Sequence, residues 1–91
     1  MTYEALPSDT FNKDVGEIRD KILKERLLKV IERIKENPKS GKPLHGKFNR
    51  FGIYIGKYRL VYDVLDAEKR IILIRFRHRD KIYKNIYCLI I

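Results

Sequence analysis

The sequence predicts an α+β domain in which an N-terminal strand and a helix hairpin pack on a small antiparallel sheet. Apolar residues recur at helical spacing at Leu23, Leu27, Val30, Ile31 and Ile34. Two apolar-rich runs, Arg50 to Ile55 and Tyr58 to Leu65, are parted only by Gly56-Lys57. A third run, Ile71 to Phe76, follows the polar turn Asp66-Ala67-Glu68-Lys69. Helices followed by a run of strands are the α+β pattern.

Tyr3 to Leu6 is short and reads as an edge strand, ended by Pro7. Ser8 or Asp9 then caps a helix whose stripe is Phe11, Val15 and Ile18. Gly16 weakens that helix by roughly 1 kcal/mol, so it is short. Arg19-Asp20 makes the turn, and Asp20 suits the next N-cap. Leu28 widens the second helix's stripe. Glu25, Lys29, Glu32, Arg33, Lys35 and Glu36 give it a wet face of mixed sign, which reads as solvated rather than nucleic-acid binding. Asn37-Pro38 stops it, since a residue before proline avoids the α region. Lys39 to Pro43 is loop, and Leu44-His45-Gly46-Lys47 leads into the sheet.

Gly56-Lys57 suits a type II′ hairpin turn, which needs positive φ at its first central residue. Ile55 then pairs with Tyr58, and Tyr54 with Arg59. A second loop at Ala67 to Lys69 sets Arg59 opposite Arg77 and Val61 opposite Arg75. Side chains alternate along strands. Tyr54, Arg59, Arg75 and Arg77 fall on one face. Tyr58, Leu60, Tyr62, Val64, Ile72, Ile74 and Phe76 fall on the other. Like charges set opposite each other cost stability. Such a face makes sense if an anion sits between the arginines. The tail is ambiguous: Ile82, Ile86 and Leu89 or Ile90 suit a helix, while Tyr87 to Ile91 reads as a strand.

A length of 91 residues points to one domain, 1–91, with a modest core. No apolar run reaches the roughly 20 residues that cross a bilayer, and the N-terminus lacks a signal-peptide pattern. The single cysteine, Cys88, cannot form an internal disulfide. These features point to the cytoplasm. The net charge is +9. Residues 1–40 contribute +1 and residues 41–91 contribute +8, so the excess lies in the sheet half. A one-sided basic surface suggests a polyanion, most often nucleic acid. The alternatives are a solvated basic face or a patch met by an acidic protein.

His45, His78 and Cys88 have no ligand spacing, and no P-loop or dinucleotide motif is present, so no metal and no cofactor are expected. Cys88 reads as a small buried hydrophobe. Arg59, Arg77 and Arg79 are different, because a guanidinium is a rigid, always-charged fork that matches phosphate. Tyr83 lies four residues beyond Arg79, and Lys47, Arg50 and Lys57 lie near the hairpin. Phosphoryl transfer needs positioning and charge neutralisation above all, and RNA carries its own nucleophile in the 2′-OH. The structural alternative is that Arg59 and Arg77 snorkel over apolar neighbours while Tyr83 packs.

Nearly the whole chain resembles the RelE/ParE toxin superfamily, nearer its RelE branch. The residues that carry this are Phe11 with Lys13-Asp14, Asn37-Pro38, Gly41-Lys42-Pro43-Leu44-His45-Gly46, Gly56-Lys57-Tyr58-Arg59-Leu60-Val61-Tyr62 and His78-Arg79-Asp80-Lys81-Ile82-Tyr83. The resemblance implies a RelE-like fold and a toxin of a type II toxin–antitoxin system. It further implies a ribosome-dependent messenger-RNA endoribonuclease that works without metal, through the 2′-hydroxyl and a cyclic phosphate. Arg59 would bind the phosphate. Arg77 would stabilise the transition state or protonate the leaving oxygen. Arg79 is the adjacent basic position, and Tyr83 acts as general base or stacks on a base. Lys47, Arg50, Tyr54, Lys57, Arg75 and Lys81 are the expected RNA-binding residues. The implied partners are the ribosome with its mRNA and a RelB-like antitoxin, through which the pair would bind operator DNA; no membrane is involved. The apolar tail Ile86 to Ile91 and the basic face also invite an acidic, partly helical partner that folds on binding.

One departure is visible. Some RelE members place two lysines before the hairpin turn, where this chain has Gly52 and Tyr54. It leaves a ParE-like alternative, a DNA gyrase inhibitor that cuts nothing.

Overall fold

The computed structural model describes residues 2–44 and 49–78. The elements run β1 (Glu4–Pro7), α1 (Asp9–Gly16), α2 (Lys21–Glu36), a 3₁₀ turn (Pro38–Ser40), β2 (Lys42–Pro43), β3 (Arg50–Ile55), β4 (Tyr58–Leu65) and β5 (Arg70–His78). The strands form one sheet in the order β1-β5-β4-β3-β2. This is the expected α+β fold, with N-terminal strand and helices packed on a small, mainly antiparallel sheet. β1 is the expected edge strand, and it joins β5 in parallel.

Both helices start where the sequence supplies a cap. Ser8 Oγ accepts the Phe11 N–H at 3.1 Å, and Asp20 Oδ1 accepts those of Ile22 and Leu23 at 3.0 and 3.2 Å. α1 ends at Gly16, so Ile18 is buried from the turn beyond the helix. α2 buries Leu27 and Ile34, while Leu23, Val30 and Ile31 line the core's edge. Leu28 does not widen that stripe. It is 62% exposed, because it points along the flank shared with Lys24 and Lys35.

The core lies between the helices and one sheet face, filled by Phe11, Leu27, Ile34, Phe51, Ile55, Leu60, Tyr62, Val64, Ile71, Leu73 and Phe76. Buried Tyr62 stacks on Phe51 with ring centroids 5.8 Å apart. Its hydroxyl donates to the Pro38 carbonyl at 2.7 Å and accepts the Gly41 N–H at 3.2 Å. Burial raises its pKa. That bond pair anchors the 3₁₀ turn. Beyond it Lys42 and Pro43, expected as loop, pair with Gly52 and Phe51 as a two-residue strand.

The hairpin register is as expected. Ile55 pairs with Tyr58, Tyr54 with Arg59, Arg59 with Arg77 and Val61 with Arg75. Gly56 has φ of 62°, as its turn requires. The second loop differs. Leu65 pairs with Arg70, so the turn takes Asp66 to Lys69, and Lys69 has φ of 53°. A bulge at Ile74 then takes up the one-residue offset. It reverses the alternation in the first half of β5. Ile71 and Leu73 enter the core, and Ile72 and Ile74, expected there, lie on the opposite face. Ser8 meets the strand at the bulge: its hydroxyl donates to the Ile74 carbonyl at 3.0 Å, just past the β1 pairing, which ends at Leu73. The expectations for the tail from Lys81 to Ile91, and for His45 to Lys47, lie outside the described residues.

Candidate functional site

The sheet face away from the helices carries Arg50, Gly52 and Tyr54 from β3, Arg59, Val61 and Asp63 from β4, and Arg75 and Arg77 from β5. Cross-strand pairing sets this arrangement, because opposed residues share a face. Arg59 and Arg77 are direct partners, so both guanidinium stems leave the same side of the sheet.

Arg59 lies against the sheet. Its Cζ is 5.5 Å from the Tyr54 ring centroid, a cation–π approach. Its Nε is buried and finds no hydrogen-bond acceptor among the described residues. Tyr54 is 50% exposed. Lys57 sits at the hairpin tip.

Two arginines of β5, Arg75 and Arg77, are held by a residue that the sequence did not mark as a site. Asp14 of α1 is only 7% exposed. Its carboxylate accepts the Phe76 N–H at 3.0 Å and Arg75 Nε at 3.0 Å, and lies 3.7 Å from Arg77 Nε. It covers the β5 edge where β1 has ended. The signal was present: Asp14 stands three residues after Phe11, inside the apolar face of α1, where a carboxylate needs partners. Arg75 is therefore committed to an internal ion pair, with about a third of its side chain exposed. Arg50 is likewise paired, to Asp63, through bonds of 2.6 and 3.0 Å that raise its pKa further. Arg79, Tyr83, Lys47 and Lys81 lie outside the described residues.

Arg75 and Arg77 thus share one carboxylate, while Arg59 Nε meets no acceptor among the described residues, leaving a positive excess on an open face. A hollow of about 90 Å³ beside Arg77 is lined by Asp14, Glu17, Ile18, Tyr58, Phe76 and His78. A larger cleft of about 510 Å³ lies at the C-terminal end of α2, against Tyr3, Lys39 and Asp66, with no arginine in its wall. An extended nucleic-acid backbone is met on an open charged surface, so the arginine face is the stronger candidate. Among the described residues no group of three or more His, Cys, Asp or Glu is placed to hold a metal.

Residues 6–83 match the family model for the ParE toxin of the type II toxin–antitoxin system parDE. The chain belongs to the RelE/ParE toxin superfamily. A curated relative, "Putative toxin RelE4" of Methanocaldococcus jannaschii, is 38% identical over 69 residues, 74% of this chain and 73% of that protein. The toxin in the RelB–RelE antitoxin–toxin complex from Methanococcus jannaschii is 26% identical, with a TM-score of 0.74 over 88% of this chain and 96% of that one. The isolated E. coli RelE toxin shares the fold at 23% identity, with a TM-score of 0.75 over 98% and 99% of the two chains. Within this superfamily fold, the arginine face is the surface opposite the helices. No helix among the described residues is long and apolar enough to cross a membrane.

Proposed function

We propose that this chain is the toxin of a type II pair and a metal-independent endoribonuclease that cuts messenger RNA in the ribosomal A site. The observation that carries the reading is the direct pairing of Arg59 with Arg77 on the open face. The likeness to toxins named RelE supports it.

The chemistry follows from what guanidinium groups offer. A 2′-hydroxyl attacks the adjacent phosphorus, forming the 2′-O–P bond as the P–O5′ bond breaks. The 2′-proton passes to a base and the 5′-oxygen gains a proton, leaving a 2′,3′-cyclic phosphate and a 5′-hydroxyl. Arg59 binds the non-bridging oxygens. Arg77 meets the charge that builds on them; guanidinium keeps its protons near neutral pH, which favours electrostatic stabilisation over proton donation. Tyr83 is the proposed base, with Arg79 beside it. Tyr54 and Lys57 flank the RNA path on the hairpin, with Lys47 and Lys81 as further contacts. Arg50 and Arg75, already ion-paired, add field more than direct contact. A RelB-like antitoxin that covers this face would silence it and would carry any operator DNA binding. Several of the similar solved structures hold a RelE toxin with its antitoxin or a peptide of it.

Primer extension on translated mRNA tests the proposal. Wild type should cut within codons, and Arg59→Ala with Arg77→Ala should lose at least about a hundredfold in rate, as loss of oxyanion-binding donors does elsewhere. Intact message with wild type, or equal cutting by the double variant, overturns it. A second reading is favoured by the ParE family match and by Gly52 and Tyr54 standing where some RelE members have lysines. It is a DNA gyrase inhibitor, and loss of supercoiling at toxin excess with mRNA left intact would select it.

A further inference from the structure

We propose that Gly52 is a positioning residue, and that together with Tyr54 it forms the slot that holds Arg59 ready for an RNA phosphate. The proposal rests on Arg59 as the phosphate-binding residue.

Gly52 belongs to the open face, yet it is buried. Arg59 covers it. A Cβ built on Gly52 would stand 2.8 Å from Arg59 Nε, 3.1 Å from Nη2 and 3.3 Å from Cζ. The guanidinium plane therefore occupies the space that any other residue's side chain would fill. Tyr54, two residues along the same strand and directly opposite Arg59, supplies the second wall.

Backbone conformation does not call for glycine here. Gly52 sits within a strand, and unlike Gly56 it has no positive φ. A glycine inside a strand weakens it, and a sealed donor without an acceptor weakens the fold again. Two such features at one spot have one physical return: a guanidinium fixed in one orientation. A fork fixed before binding loses less entropy when it meets an oxyanion.

The test is a mutant cycle on the full chain with Gly52→Ala, Tyr54→Leu and Arg59→Ala. Three quantities are read: the urea midpoint, affinity for a labelled short single-stranded RNA, and cleavage of translated mRNA. Gly52→Ala should keep or raise the urea midpoint, because the methyl displaces only the end of a flexible side chain. It should bind the RNA roughly tenfold more weakly, the scale of one charge-assisted hydrogen bond. Tyr54→Leu should act in the same direction, and in an Arg59→Ala background neither change should weaken binding further. Wild-type affinity in Gly52→Ala overturns the proposal, as does full additivity with Arg59→Ala. An unfolded Gly52→Ala also overturns it, since the methyl must then meet something immovable. Coupled RNA binding without any mRNA cleavage by wild type would instead remove the nuclease reading and leave the slot standing. A wild type that does not bind the RNA removes the premise that Arg59 holds phosphate.

Discussion

At Asp14 three donors converge on a carboxylate that the helix pattern would fill with an apolar side chain. Its partners differ in kind. The Phe76 N–H belongs to the sheet edge and has no strand to meet it there, while Arg75 and Arg77 bring charge. Truncation to alanine would leave a buried N–H unmet and two arginines side by side without a counter-ion. We expect Asp14→Ala to cost about 2–4 kcal/mol, less than a fully buried pair because both arginines are partly exposed. Asp14→Asn keeps an acceptor for Phe76 and should cost less than half of that. Urea denaturation of the two variants checks the order, and equal losses would contradict this account. The consequence reaches the site, because the same carboxylate limits how far Arg77 moves from its place opposite Arg59.

Elements here were legible in proportion to how locally they are determined. The turn at Gly56-Lys57 holds its own instructions, so its register and the Arg59–Arg77 pairing could be read from the sequence. The inward face of β5 could not, because the bulge at Ile74 leaves no local mark, and the Ser8 hydroxyl that meets it there lies far away in the chain. A propensity reading sees only an unbroken alternation. The pairing near Arg59 came out as expected because a longer turn and a bulge offset each other. Gly52 was visible as a departure, but its reason is a side chain on the next strand. Ser8→Ala removes a helix cap and the partner of the bulge carbonyl together, and should cost about 1–2 kcal/mol in urea denaturation.

A second tie joins three elements at the other end of the sheet. Tyr3 Oη donates to Asp66 at 2.9 Å, and Lys39 Nζ lies 3.1 Å from the same carboxylate. The Tyr3 hydrogen bond, then Lys39, hold the Asp66 pKa below its ordinary value near 3.8. A lowered carboxylate pKa stabilises the fold above the ordinary value, and that share disappears as pH falls through the lowered one. Tyr3 is raised above its ordinary 10.0, chiefly by the bond to Asp66, so its share is complete below 10.0 and disappears as pH rises through the raised value. Asp66→Asn should therefore lower stability between about pH 4 and pH 10, where the tie is complete, and flatten the fall on either side of that window. Thermal melts across that range decide it; an unaltered acid limb would rule the tie out.

Across the whole molecule the two layers divide the labour. The helix layer is nearly neutral, with Lys and Glu interleaved along α2, and its task is to cover the apolar face of the sheet. Residues 41–91 hold +8 of the +9 charge, and among the described residues the open face collects four arginines against Asp63 and the reach of Asp14. On the proposed function, a field built this way would attract RNA from a distance, but only arginines not already neutralised would displace counterions on contact. Single-stranded RNA binding should then weaken with salt at a log–log slope of about −0.7 per phosphate met. Arg59→Ala should make the slope shallower by about 0.7, and Arg77→Ala should do the same. Arg50→Ala should change it by less than half as much, since Asp63 already meets that charge and loses its partner at the same time. Lys24→Ala, on the helix layer, should leave the slope alone. Fluorescence titrations over a range of potassium chloride concentrations measure all four; a slope that falls equally for Lys24→Ala and Arg59→Ala would mean that RNA reads the net charge of the molecule and not the arginine face.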